Sequence, residues 1–142
     1  MTFAGLNYLA VVLAAAASFI FGGLWYGIFS KQWMEAANIS SDEIKAVSGG
    51  AAVAPYVIAF VAQLVMAYVL AGILGHPGAG QVTLRNGVIA GAICWAGFVA
   101  TSLAVNHAFQ GAKLRLTLID GGHWLGVLLI QGALIGWLGV PA

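Results

Sequence analysis

Four long apolar runs, separated by short polar breaks, organise this chain. They cover residues 3–29, 51–74, 86–109 and 118–138. Each is long enough for a helix across a hydrocarbon core, which takes about 20 residues. Inside the runs the polar positions recur at helical spacing. At about 100° per residue, positions seven and eleven apart return to one helix face. On that count Asn7, Ser18 and Trp25 align in the first run, and Tyr56 and Gln63 in the second. Trp95, Ser102 and Asn106 align in the third, and Asp120 and Gln131 in the fourth. Each helix thus has a face able to hydrogen-bond. In lipid those faces should turn inward, because an unpaired polar group in hydrocarbon is costly. The expected fold is all-α, a single integral membrane domain built as a bundle of four transmembrane helices.

The breaks refine this picture. Residues 31–37 continue from the first helix, with Trp33 placed as an anchor at headgroup depth. The stretch NISSDEIKAVSGG then reads as a short interfacial helix over residues 41–48. Ser40 and Glu43 have capping-box spacing, and Gly49 and Gly50 end the helix. The second connection, GHPGAG, is a turn. The third, QGAKLRL, is short and basic, and Lys113 and Arg115 are expected to anchor it at lipid headgroups.

Composition excludes a soluble domain. Only 6% of residues are charged and 62% are hydrophobic, against about 25% charged in a water-soluble chain. The lipid bilayer is therefore the expected partner. A formal net charge of +1 provides no field for nucleic acid. The lone Cys94 excludes an intramolecular disulfide and a CxxC metal site. Lys31, Lys45, Lys113 and Arg115 fall in the two connections that share one side of the bundle, and Arg85 alone falls on the other. The positive-inside bias makes the first side cytoplasmic and puts both termini outside.

Small residues recur four apart: Gly23 with Gly27, Gly87 with Gly91, Gly122 with Gly126, and Gly132 with Gly136. Such pairs let helix backbones approach closely where lipid supplies no hydrophobic drive, within one chain or between copies.

Asp120 is the candidate for chemistry. It is the only acid outside the stretch from Glu35 to Glu43, and apolar sequence surrounds it. A carboxylate in a span costs about 2.5–3.5 kcal/mol on insertion scales, so it needs a partner, water or a purpose. One reading makes it the N-cap of a helix starting at Gly121, or one half of an ion pair with Arg115, Lys113 or His123. The other makes it a ligand or proton site. Alternation of the spans gathers Trp25, Tyr26, Tyr56, Asn106, His107 and His123 at its end of the bundle. The result is an inward-opening vestibule, with Ser18, Gln63, Ser102 and Gln131 deeper and the far end aliphatic. A metal held by Asp120, His123 and His107 is the weakest reading, so no metal or cofactor is expected. No GxSxG, P-loop, dinucleotide fingerprint or HExxH motif occurs, and no catalytic residue is assigned.

The elements GGLWYGIFSKQWM, GFVATSLAVNHAF and LTLIDGGHWLGVLLIQGALIGW together resemble the DUF1761 family. The resemblance covers nearly the whole chain. It implies a small bacterial inner-membrane protein with four helices and brings no activity with it. His123 stands where relatives of that kind are expected to carry an aromatic residue. Two readings follow from the residues. In the first the chain is a non-enzymatic membrane protein, packing as a homo-oligomer or as an accessory subunit of a larger complex. In the second it is a small transporter or a binder of a lipophilic ligand or cation, with Asp120 as the coupling carboxylate. A membrane enzyme comes third.

Overall fold

Helix α1 (Tyr8–Ile28) starts where Asn7 Oδ1 accepts the Ala10 backbone N–H at 3.0 Å. The Asn7 side chain is therefore spent on a cap and does not line the bundle. The computed structural model describes residues 5–140, so the expected helix start at residue 3 and the chain termini lie outside the described residues. After Phe29 the chain turns into a separate helix, α2 (Ser30–Ala37), which ends at Asn38 in the left-handed conformation. Helix α3 (Ser41–Ala46) follows. Ser40 Oγ accepts from Glu43 N at 3.1 Å, and the Glu43 carboxylate accepts from Ser40 N at 2.6 Å. Those bonds to the charged form hold the Glu43 carboxyl below the usual glutamate range. The helix stops two residues short of the expected 48, before Gly49 at positive φ.

Helix α4 (Gly50–Gly75) is followed by a 3-10 turn (Ala79–Gln81) and then by the third span. That span is α5 (Leu84–Cys94), a π-helical turn (Trp95–Val99) and α6 (Ala100–Phe109), continuous over Leu84–Phe109. The last helix is α7 (Leu114–Leu138). The described residues include no strand, and four helices are long and apolar enough to cross a membrane. Two short helices, α2 and α3, stand beside those four at the end of the bundle where α1 finishes and α4 begins.

Helix α7 is the axis of the bundle. It packs on α1, α4 and α5, and 44% of its membrane-length window is buried, against 6% for the third span. Glycine makes the α5–α7 approach. Gly87 meets the backbone of Gly132, Gly91 that of Leu128, and Gly136 that of Thr83, so a Cβ at any of these would strike main chain. Gly122 lies against the Trp25 ring and Gly126 against the Phe21 ring. Gly23 and Gly27 differ: nothing stands within 4 Å of where their side chains would be.

Midway along the bundle three polar side chains meet. Ser18 Oγ donates to Gln63 Oε1 at 2.8 Å. Gln131 Nε2 donates to Ser18 Oγ and to the Gln63 carbonyl, each at 3.0 Å. All three are buried, so α1, α4 and α7 are tied together away from water, at about 0.6 kcal/mol per such bond in a membrane.

Ser102 does not join them. It is exposed, as is Asn106. The π turn explains why. The Ala100 N–H bonds to the Trp95 carbonyl five residues back, which adds one residue to that turn. Beyond it every side chain is displaced by about 100° from a pure α count. The face that begins at Trp95 therefore continues through Leu103 and His107, one position later than the sequence spacing implies.

The N-cap reading of Asp120 is corrected in the same way. Lys113, in extended conformation, is the N-cap of α7, and Asp120 lies well inside the helix. Gly121 and Gly122 do not start it. They are passing points where Leu103 and Trp25 press on α7, and a larger residue at Gly122 would meet the indole.

Candidate functional site

The carboxylate of Asp120 is held from two elements. Tyr26, in the last turn of α1, donates its hydroxyl to Oδ1 at 2.7 Å. Trp33 of α2 donates its indole N–H to the same oxygen at 3.1 Å. The other oxygen, Oδ2, faces His107 of α6, whose Nε2 is 3.9 Å away. That is too long for a hydrogen bond and close enough for charge to matter. The far nitrogen of that ring, Nδ1, is 2.8 Å from Thr117 Oγ1, which sets the ring's orientation.

The backbone around Asp120 is held as well. Trp25 Nε1 donates to the Ile119 carbonyl at 3.1 Å, and Trp95 Nε1 donates to the Gly121 carbonyl at 2.9 Å. An indole N–H has no other use than donation and needs an acceptor when buried. Three tryptophans, from α1, α2 and the π turn, thus bind Asp120 and the carbonyls on either side of it. The carboxylate is pre-positioned by aromatic donors, with no Lys or Arg among them.

Beside it lies an open cleft of about 800 Å³ between α1, α2, α3 and α4, floored by α7 and reached by Leu103 of α6. Phe19, Met34, Ile44 and Ala59 make its surface mostly apolar, and Trp33, Tyr56 and Trp124 add rings. Gly23 and Gly27 open the α1 wall by having no side chain, while the bare Cα of Gly22 makes room for the His123 ring. His123 is 5% exposed, its ring 4.8 Å from that of Tyr26, and its Nδ1 makes no hydrogen bond.

The candidate residues separate accordingly. Asp120, Tyr26, His107 and His123 come together. Tyr56 lines the cleft from α4 but is 66% exposed and makes no hydrogen bond to Asp120. Trp25 acts behind the site, on backbone. Asn106 points away, displaced by the π turn. Neither Lys113, Arg115 nor His123 is the ion partner of Asp120. Lys113 Nζ reaches the Glu35 carbonyl at 2.9 Å and Asn38 Oδ1 at 2.8 Å, while Arg115 pairs with the Glu35 carboxylate at 3.6 Å. They tie α2 to the start of α7. The described residues contain no group of three His, Cys, Asp or Glu side chains able to hold a metal ion.

Trp33, read from the sequence as a headgroup anchor, is also a donor to the site. Its signal was present: it lies seven residues after Tyr26, one face by the same spacing rule, but Phe29 breaks the helix between them and hid the relation. Trp95 was legible only as part of the polar face of the third run, and Thr117 gave no signal; both act through tertiary contacts.

A family model described as "Protein of unknown function (DUF1761)" matches residues 9–136, nearly the whole chain. The chain belongs to the DUF1761 family. No curated protein and no solved structure matches it. Every group of the Asp120 site lies inside the family match, as do all four long helices but for Tyr8 at the start of α1 and the last two residues of α7.

Proposed function

We propose that this DUF1761 protein is a multi-pass protein of the bacterial inner membrane that binds an amphipathic small molecule in the cleft, with Asp120 at the polar end. The observation that carries the reading is the carboxylate itself. It is held by Tyr26 and Trp33, its backbone is clamped by Trp25 and Trp95, and it borders an otherwise apolar space. About 800 Å³ is within the range of sites that take a ligand of drug or lipid-tail size. A purely structural acid would need neither the space nor the two bare glycines, Gly23 and Gly27, on its wall. By the positive-inside count the cleft opens toward the cytoplasmic leaflet, and binding rather than catalysis is its task.

Gly23 permits a direct test, because it lines the cleft and a Cβ there meets nothing within 4 Å. Protein solubilised in a mild detergent and weighed intact should retain one small amphiphile per chain. Gly23→Trp should lose it at least tenfold while unfolding at the same temperature. Equal retention by the two forms would overturn the proposal.

A second reading, a homo-oligomer or an accessory subunit of a larger complex, draws on the third span. Only 6% of its window is buried within the chain, which leaves a long apolar face for lipid or for another subunit. It is compatible with the first, since the cleft is walled mainly by α1, α2 and α4 and the third span reaches it through Leu103 alone.

A further inference from the structure

Asp120 is a carboxylate without a fixed counter-charge. Its Oδ1 is occupied by two neutral donors, and its Oδ2 receives no hydrogen bond from the described residues. The charged and titratable groups of the surrounding elements do not neutralise it. On α1 there is Tyr26, a neutral donor, and on α4 Tyr56. On α2, Lys31 is exposed and Glu35 is paired with Arg115. On α7, Lys113 is bound to Glu35 and Asn38, and His123 is buried behind Tyr26. The short helix α3, which reaches the cleft through Ile44, has Asp42, Glu43 and Lys45 exposed. Among the described residues His107, at 3.9 Å from Oδ2, is the one titratable nitrogen base within 4 Å of the carboxylate.

We infer that the molecule in the cleft is a lipophilic organic cation whose ammonium-type head replaces His107 as the counter-charge of Asp120. This rests on the cleft being a ligand site, and it names the class of ligand. Three features of the cleft point to that class. The one charge it presents is negative, which disfavours fatty acids, phosphates and sulfates. The rings of Tyr26, Trp33, Tyr56 and Trp124 line the space, and aromatic rings attract cations, each contact contributing about 0.5–2 kcal/mol according to desolvation. The remaining surface is apolar and suits an alkyl or aryl body. A small inorganic cation would find one carboxylate and no second acid, far short of the six to eight oxygens that calcium takes.

His107 then makes the site pH-responsive. An imidazole ring has a neutral and a protonated form. When His107 is neutral, Asp120 lacks a counter-charge and a cation is drawn in. When His107 is protonated, the imidazolium supplies the charge and competes. Affinity for a permanent cation therefore rises with pH, and each binding event favours loss of a proton from the site.

The probes are decyltrimethylammonium, decanol and decyl sulfate, titrated onto the full chain in lipid nanodiscs. Tryptophan fluorescence is the readout, since Trp33 and Trp124 border the cleft, and a Gly23→Leu form, which fills the cleft without adding an indole, corrects for partition into lipid. At pH 8 wild type should bind the ammonium saturably and at least tenfold more tightly than decanol, with decyl sulfate weakest. That affinity should fall at least tenfold at pH 5. Asp120→Asn should erase the preference for ammonium over decanol. His107→Gln should keep the preference and lose the pH dependence. Decanol binding as tightly as the ammonium, or sulfate binding more tightly, would overturn the cation inference and leave the cleft as an amphiphile site. Ammonium affinity equal at pH 5 and pH 8 would remove His107 from it. If none of the probes binds saturably, the ligand reading itself falls. The comparison of ammonium with decanol uses wild type alone, so it decides the matter even if a variant misfolds.

Discussion

At Asp120 the chemistry depends on which neighbours donate and which carry charge. Tyr26 and Trp33 both give their hydrogens to one oxygen. Asparagine offers an oxygen in the same place, so Asp120→Asn should keep the fold while removing the charge. Leucine offers none and would leave two part-buried donors unmet, at about 1–3 kcal/mol each. Thermal unfolding in detergent should therefore rank wild type and Asp120→Asn together, with Asp120→Leu several degrees lower. An Asp120→Leu protein as stable as wild type would mean that the two donors find other acceptors. Much of this site was legible in the chain. A lone acid in apolar sequence, with Tyr26, His107 and His123 placed at the same end by alternation, needed only composition and topology. Its partners were not legible. Lys113 and Arg115 seemed near in sequence, but α7 begins at Leu114, so the helix carries Asp120 away from them and toward α1 and α6.

Among the elements the π turn has the largest consequence for function. By adding one residue between Trp95 and Ala100 it presents His107 rather than Asn106 to Asp120. Phe98, within the turn, is 72% exposed, and Val105, beyond it, is 55% exposed. Deleting Phe98 would turn the π turn into regular helix and leave Leu103 and His107 on their present face. Deleting Val105 would instead rotate His107 by about 100° while keeping the turn. The Phe98 deletion should give monodisperse protein that still prefers ammonium to decanol with a pH dependence. The Val105 deletion should lose the pH dependence. The reverse order would refute the role given to the turn. No sequence signal marks this element, because the stretch WAGFV is apolar throughout and a π turn there is selected by the Trp95 bond to Gly121 and the packing of α7. The Ser40–Glu43 capping box shows the opposite case: its bonds are local, three residues apart, and it could be read directly.

For the whole molecule, charge placement makes a prediction about orientation. Lys31, Lys45, Lys113 and Arg115 lie at the Asp120 end and Arg85 at the other. In a background with Cys94→Ala, a cysteine at Asp42 should react with a membrane-impermeant thiol reagent only in inside-out vesicles. A cysteine at Gln81 should react only in right-side-out ones. Labelling in the reversed sense would place the cleft mouth on the outer leaflet and make its ligand an external one. The same assembly explains why the polar groups are distributed as they are. The Ser18–Gln63–Gln131 knot closes the middle of the bundle with its own hydrogen bonds, and the cleft runs from Gln63 at the knot to Asp120.

The chain by itself determined the class of the molecule: helical, spanning, with one exceptional carboxylate near one end. Those properties follow from composition and from periodicities within single segments, where bilayer thickness and hydrogen-bond geometry leave little choice. Tertiary structure decided what Asp120 is. The Tyr26, Trp33 and His107 groups that hold it come from three other helices, separated in sequence by 94, 87 and 13 residues. Which of them reach it depends on a helix break at Phe29, a π turn at Trp95 and glycine contacts that set how close the helices stand. Angles and offsets of that kind arise from packing between segments, and the pattern within any one segment does not contain them.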